Sequence, residues 1–516
     1  LLPGGSGMRS GFSRRELMKL VGLTLATSAM PGTVSIASAQ SSATPRLKRQ
    51  SNLRNVIFMV ADGMSTGVVS LADSFSRLVR SPQQQTNWMT LMRTPGVVQG
   101  MVESYSLNSM VTDSAAAASA WGSGSRVNNG TLNYLPDGRA MTPLARLMQQ
   151  AGKRVGLVTT CTITHATPAG FAVNELKRGS ERQIAQSYLN NGIDVLLGGG
   201  SRFFDAGSKE DQPDLRPQFV EKGYSVWSSR NDLLAGKAPD KVLGVFTSGH
   251  LPYTIDQNQS EELKAQVPTI AEMTQAAISS LSKGRDGFFL MVEGGRVDHA
   301  AHANDAAAIL WDQLAFDDAL GVALAFAAGR DDTLVVVTTD HANSNPGLNS
   351  MGSRTGGTNA CFARLGNITA SASAMLSAIN KSEGGVSEQA VKEVLLKTTQ
   401  LEIPDNHVQA LTRILRKEKI EELNSQHANA VGVLGQILGN FTGIGWTGVS
   451  HTADYTTLSA IGVGASAFQG MSRNIDAFAF ITDMLGIDYR NPAMTPAEAW
   501  RVADASDIAP DDVVMV

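Results

Sequence analysis

Apolar runs of five to seven residues recur at positions 55 to 61, 97 to 102, 154 to 160, 193 to 197, 241 to 246, 287 to 292 and 333 to 338. Between several of them lie amphipathic or alanine-rich stretches at 142 to 151, 181 to 190, 268 to 281 and 304 to 326. Short unbroken apolar runs read as strands covered on both faces, and the longer stretches read as helices. That alternation predicts an α/β fold: a large, mostly parallel central sheet with helices on both faces. Residues 366 to 440 interrupt the pattern with a polar, Lys/Glu-bearing region holding helical stretches at 387 to 398 and 408 to 423. The region reads as an insertion forming a lid, crown or interface. A strand at 458 to 463 and a helix at 475 to 485 return the chain to the sheet, and the tail after Asn491 is expected at the surface.

In open α/β sheets, ligands bind beyond the carboxyl ends of the strands, and the polar clusters of this chain fall there. The run at 287 to 292 leads into Glu293-Gly294-Gly295-Arg296-Val297-Asp298-His299-Ala300-Ala301-His302. A helix starting near Asp298 places Asp298 and His302 four residues apart on one face, where they can grip one ion. Carboxylate oxygen with imidazole nitrogen suits catalytic zinc better than calcium or magnesium. The runs at 55 to 61 and 333 to 338 end on Asp62-Gly63 and on Asp340-His341. Asp-Gly is also a common turn, but two strand ends bearing metal-type side chains point the same way.

Asp113-Ser114 precedes Ala115-Ala116-Ala117-Ala118. Either residue can simply cap the alanine-rich helix; alternatively the helix N-terminus offers its N–H groups to a phosphate carried on Ser114. His165-Ala166-Thr167 follows the run at 154 to 160, and His451 lies in a Gly/Thr loop. Arg178 can clamp two oxygens of a tetrahedral anion, with Arg182 as the alternative.

Length and composition narrow the class. The chain has 516 residues, 42% of them hydrophobic, with 50 glycines and a formal net charge of −4, which fits a folded globule with a large core and many tight loops. Ser13-Arg14-Arg15-Glu16-Leu17-Met18-Lys19, a mildly apolar stretch at 20 to 30 and Ala37-Ser38-Ala39 read as a twin-arginine signal peptide over residues 1 to 39, and so as a periplasmic or secreted protein. The remaining residues, 40 to 516, read as one catalytic domain carrying the insertion. The surface shows no basic footprint for nucleic acid, and no apolar run is long enough for a transmembrane segment. Cys161 and Cys361 are the only cysteines, too few for a disulfide scaffold, and read as buried, unreactive thiols.

Taken together, the Asp-Ser-Ala-Ala-Ala segment at 113 to 117, the Glu-Gly-Gly-Arg-Val-Asp-His-x-x-His segment at 293 to 302, Asp62, Asp340-His341, His451 and Thr247-Ser248-Gly249-His250-Leu251-Pro252-Tyr253 resemble the alkaline phosphatase family. The resemblance covers about residues 52 to 350 and 443 to 485. It implies two Zn2+ and one Mg2+: one zinc on Asp298, His302 and His451, the second on Asp62, Asp340 and His341 facing Ser114, and magnesium on Asp62, Thr167 and Glu293. It also implies phosphate monoester substrates, a phosphoserine on Ser114, Arg178 as phosphate clamp, inorganic phosphate as product and, commonly in the family, a homodimer. His165 and His299 stand where the best-known bacterial pattern has aspartate and lysine; His165 joins the third metal site in this reading. The competing functions are a metal-dependent phosphodiesterase, nucleotide pyrophosphatase or sulfatase, and a non-catalytic phosphate- or metal-binding protein.

Overall fold

The computed structural model describes residues 52–207, 213–235, 237–418 and 424–504; the signal peptide read at 1 to 39 lies outside them. Ten strands build one sheet: β1 (Asn55–Val60), β2 (Val98–Glu103), β3 (Arg154–Thr162), β4 (Val195–Gly199), β5 (Ser225–Trp227), β6 (Val242–Val245), β7 (Phe288–Glu293), β8 (Thr333–Thr338), β9 (Thr456–Gly462) and β10 (Gly470–Arg473). Their order is β10-β2-β9-β8-β1-β7-β3-β4-β6-β5. Only β9 runs against its neighbours, β8 and β2; the other pairings are parallel, as the strand and helix alternation predicts.

The central strands are buried on both faces. Ile57, Met59, Leu290, Val292, Val335 and Val337 belong to one apolar core, whereas Val56, Phe58, Val60, Phe289, Met291, Leu334 and Val336 belong to the other. Successive side chains of a strand point to opposite faces, so an unbroken apolar run feeds two helical layers at once. One layer includes α1 (Ser114–Ser123) and α2 (Ala166–Ala172); the other includes α3 (Ile270–Leu281) and α5 (Ala306–Ala327), with the short α4 (Arg296–His302) between them in sequence. Thr269 and Glu272 close a capping box on α3, and Asp305 caps α5 by accepting from Ala308 N.

The region read as an insertion at 366 to 440 forms α6 (Ala372–Asn380), α7 (Glu388–Thr399), α8 (Asp405–Leu415) and α9 (Ala430–Thr442), the last running two residues past it. Leu376, Ile379, Leu395, Leu411, Leu434 and Ile437 from these helices join the same core as the inner face of the sheet. Asp305 ties the region down by accepting from Ala372 N at 2.5 Å, and Asp256 does so by accepting from Ser371 N at 2.8 Å. The helix expected at 408 to 423 begins earlier, after Pro404, and ends at Leu415. Among the described residues no helix is long and apolar enough to cross a membrane.

Candidate active site

Strand ends place most of the expected side chains. Asp62 follows β1, Glu293 is the last residue of β7, and Asp340-His341 follow β8. These three strands are adjacent in the sheet, so residues hundreds of positions apart meet at one rim. Gly63 makes the turn after Asp62 at φ +64, and a Cβ there would lie 2.2 Å from Asp298 Oδ1. Only glycine lets the β1 turn approach α4 this closely. Asp298 and His302 project from α4 with His302 Nε2 3.3 Å from Asp298 Oδ2. His451 arrives on a two-residue strand, His451–Thr452, paired with Ala342–Asn343, and its ring stacks on that of His341 at 3.6 Å.

Ser114 is the first residue of α1. Asp113 caps the helix by accepting from Ala116 N at 2.9 Å, which fixes the buried Ser114 hydroxyl 3.3 Å from His341 Nε2. The alanines that follow let α1 lie directly against α2: a Cβ on Gly122 would sit 2.1 Å from the Gly170 carbonyl oxygen. Helix α2 carries Thr167, with His165 as its N-cap residue. Arg178 reaches the same place, donating to Asp113 Oδ2 at 3.0 Å and to His165 Nε2 at 3.2 Å. Arg182 does not, because it donates to the backbone carbonyls of Phe203, Asp205 and Pro213.

Three groups bring candidate ligand atoms within 4.8 Å of one another: Asp62 with Asp340 and His341, Asp298 with His341 and His451, and Asp62 with His165 and Glu293. Their chemistry fits cations. His302 Nδ1 lies 2.8 Å from the Val449 carbonyl and His451 Nδ1 lies 2.9 Å from the Thr112 carbonyl. A carbonyl only accepts, so each neutral ring keeps its proton on Nδ1 and presents a bare Nε2. Those two Nε2 atoms face each other at 3.1 Å beside the Asp298 carboxylate. Converging lone pairs of this kind call for a positive charge between them. Accordingly, although burial opposes it, Asp298 raises His302 to about 9, while His302 and His451 hold the buried Asp298 well below the usual carboxylate range.

The neighbouring carboxylates have the same need. Both oxygens of Asp62, Glu293 Oε1, Asp340 Oδ2, Thr167 Oγ1 and His341 Nδ1 are buried without a hydrogen-bond partner. Burial first, then Asp340, Asp298 and Glu293, pushes the Asp62 carboxyl well above its ordinary range. Burial also raises Glu293, although Thr159 donates to its Oε2 at 2.5 Å. Isolated carboxylates in such a setting protonate or bind metal.

The sequence reading missed Asn343, whose buried side-chain amide donates to Asp298 Oδ1 at 2.7 Å and orients that carboxylate. Its position two residues after His341 was the available signal. The reading also missed a fourth such group, beside the rim: Cys161, His250 and His299. Both cysteines are free, but only Cys161 is buried; Cys361 is half-buried, because it lies on a six-residue helix of which only Phe362 is buried. Burial pushes the Cys161 thiol well up and lowers His165, His250 and His299, with His250 at about 4, so these rings are neutral.

A doubly covered sheet whose strand ends gather carboxylates, imidazoles and a capped serine defines a metal-dependent α/β hydrolase. The family model for alkaline phosphatase matches residues 53–487, and the chain belongs to that family. It is a phosphoric monoester hydrolase. It is 30% identical to alkaline phosphatase 3 of Bacillus subtilis over 451 residues, covering 86% of this chain and 91% of the relative. Alkaline phosphatase 4 of the same organism is 28% identical over 449 residues, with the same coverage. The crystal structure of Thermus thermophilus alkaline phosphatase superposes with a TM-score of 0.83 at 33% identity, covering 92% of this chain and 100% of that one.

Proposed function

We propose that this hydrolase works through a phosphoserine on Ser114, with two Zn2+ and one Mg2+ held at the strand-end rim. Asp298, His302 and His451 would hold one zinc, Asp62, Asp340 and His341 the second, and Asp62, Thr167 and Glu293 the magnesium, with His165 beside it. When bound, the ions supply positive charge that favours the serine alkoxide and the departing alkoxide. Ser114 Oγ attacks phosphorus, an Oγ–P bond forms as the ester P–O bond breaks, and the alcohol leaves. Water then cleaves the Oγ–P bond, restoring the hydroxyl and releasing phosphate. The α1 N-terminus favours the negative phosphoryl group, and the Arg178 fork grips two of its oxygens. Asp113 serves both ends of this arrangement, since it caps α1 and holds Arg178.

The observation that carries the reading is the buried Ser114 hydroxyl 3.3 Å from His341, at the edge of carboxylates that each keep an oxygen without a hydrogen-bond partner. The test is acid quenching of the zinc- and magnesium-loaded enzyme during turnover of a labelled monoester. Label should appear on Ser114 and vanish in Ser114→Ala, together with nearly all turnover, on the order of 10⁴-fold or more. Ser114→Ala turning over at the parent rate would remove Ser114 as nucleophile, and faster cleavage of a diester or sulfate ester would move the activity to a related class. The Arg14-Arg15 leader is proposed to direct export by the twin-arginine route; replacing both with lysine should retain the protein in the cytoplasm.

A further inference from the structure

Next to the acid-rich rim lies a cluster of imidazoles of opposite character. His250 and His299 stand edge to face with ring centroids 4.6 Å apart, and His165 lies 5.6 and 5.7 Å from them. Each ring has one nitrogen engaged by a group that can only donate. Thr162 N donates to His250 Nδ1 at 3.1 Å, Arg296 Nη1 to His299 Nδ1 at 2.7 Å and Arg178 Nη2 to His165 Nε2 at 3.2 Å. The proton of each neutral ring is therefore on the other nitrogen, which makes that nitrogen a donor.

This is the reverse of His302 and His451, where backbone carbonyls leave bare nitrogens for a cation. Although Cys161, His250 and His299 approach one another at metal-ligand spacing, the lone pairs of His250 Nδ1 and His299 Nδ1 are engaged by donors and a guanidinium adjoins them. Arg296 lies over the Tyr253 ring at 3.7 Å, its Nε is buried without a partner, and no carboxylate lies within 4 Å of it among the described residues. Arg202 is exposed on the same side, with Nη1 4.0 Å from a Cβ built on Gly249, and it too has no carboxylate partner among the described residues. N–H donors and two guanidiniums that pair with no carboxylate among the described residues, one histidine away from Arg178, make an anion site.

We propose that His250, His299, Arg296 and Arg202 form a second anion subsite that takes a further phosphate group of the same substrate. The favoured class is a nucleoside diphosphate or another ester bearing two linked phosphates. The inference rests on the phosphomonoesterase reading and adds a preference within it.

The test compares ADP with p-nitrophenyl phosphate in the metal-loaded enzyme. Arg202→Gln and His250→Gln should each lower the ratio of kcat/KM for ADP over p-nitrophenyl phosphate by about tenfold, the worth of one charge-assisted hydrogen bond. Arg202→Lys, which keeps the charge, should recover part of the ratio. Calorimetry with the non-hydrolysable methylenediphosphonate should show one site per chain, weakened in Arg202→Gln by a similar factor, with binding of inorganic phosphate much less affected. An unchanged ratio with intact diphosphonate binding would overturn the subsite. So would a cobalt-loaded enzyme showing a thiolate charge-transfer band that Cys161→Ser abolishes, since the same atoms would then be holding a cation. Wild-type enzyme inert towards both esters, yet binding diphosphonate through Arg202, would instead count against the activity and leave the subsite standing.

Discussion

The strand-end rim and the helices of residues 366 to 440 are both packed into the molecule, and they differ in what they bury. In the helical region the burial is apolar: Ile379, Val391, Leu395 and Leu411 fill the core, and Ser371, Ser387 and Asn429 cap three of the four helices. At the rim, Asp62, Glu293 and Asp340 are fully buried, and each keeps at least one oxygen without a hydrogen-bond partner. The first region follows the ordinary rules of stability with two small departures, the unpartnered ring nitrogens His407 Nδ1 and His427 Nε2, whereas the second leaves buried carboxylate oxygens unpartnered, the most expensive departure. Where local rules are broken and the fold still holds, the broken rule marks the chemistry.

The largest expected effect separates these roles. Asp62→Asn removes a buried carboxyl whose ionisation is opposed by burial and by Asp340, Asp298 and Glu293, so at neutral pH the metal-free variant should melt several degrees above metal-free wild type. In the metal-loaded form the same change should lower kcat/KM by on the order of 10³-fold. Thermal unfolding and monoester turnover on the same preparations read both quantities. A variant that is active, or that melts lower without metal, would show the rim to be ordinary scaffold. Leu411→Ala is the converse, because it opens a cavity in α8 and should cost about 2–5 kcal/mol of stability with kcat/KM unchanged per folded molecule. A tenfold loss of turnover without a change in denaturation midpoint would make the helical region part of the site.

How much of this contrast was legible in sequence follows from its physics. Strands β1, β7 and β8 announce themselves because both faces are covered, so no polar alternation interrupts the apolar run. β5 has only three residues and β10 is largely exposed, so neither carries a pattern. The start of α8 was misplaced because its first residues, Asp405, Asn406 and His407, are polar and half-exposed or exposed, so the apolar periodicity begins only at Val408. Acids and imidazoles at strand ends were readable because the sheet brings all strand ends to one place. The contacts of Asn343, Arg296 and His250 were not, since they depend on which donor meets which acceptor in the folded chain. Arg178 and Arg182 are four residues apart in sequence, and only tertiary structure sends one to Asp113 and the other to backbone carbonyls.

Asp312 supplies the smallest and sharpest test, because it is a buried carboxyl of the scaffold rather than of the rim. It projects from α5, where its oxygens accept from Thr254 N at 3.2 Å and Thr254 Oγ1 at 3.1 Å. Burial raises it to about 7, against the weaker pull of Arg296 and the Thr254 hydrogen bonds. A carboxyl whose folded pKa lies above its unfolded value adds stability that is complete below about pH 4 and lost as pH rises through about 7. Asn keeps the shape, can accept from the Thr254 amide and never ionises. Asp312→Asn should therefore gain stability over wild type between pH 4 and 7, reaching on the order of 4 kcal/mol by pH 8, with turnover retained. Urea unfolding of both proteins at pH 5 and pH 8 measures the difference. An equal gap at the two pH values would mean that Asp312 is ionised throughout, and a buried carboxylate would then need no cation to be tolerated in this fold, which is the premise on which the rim stands apart.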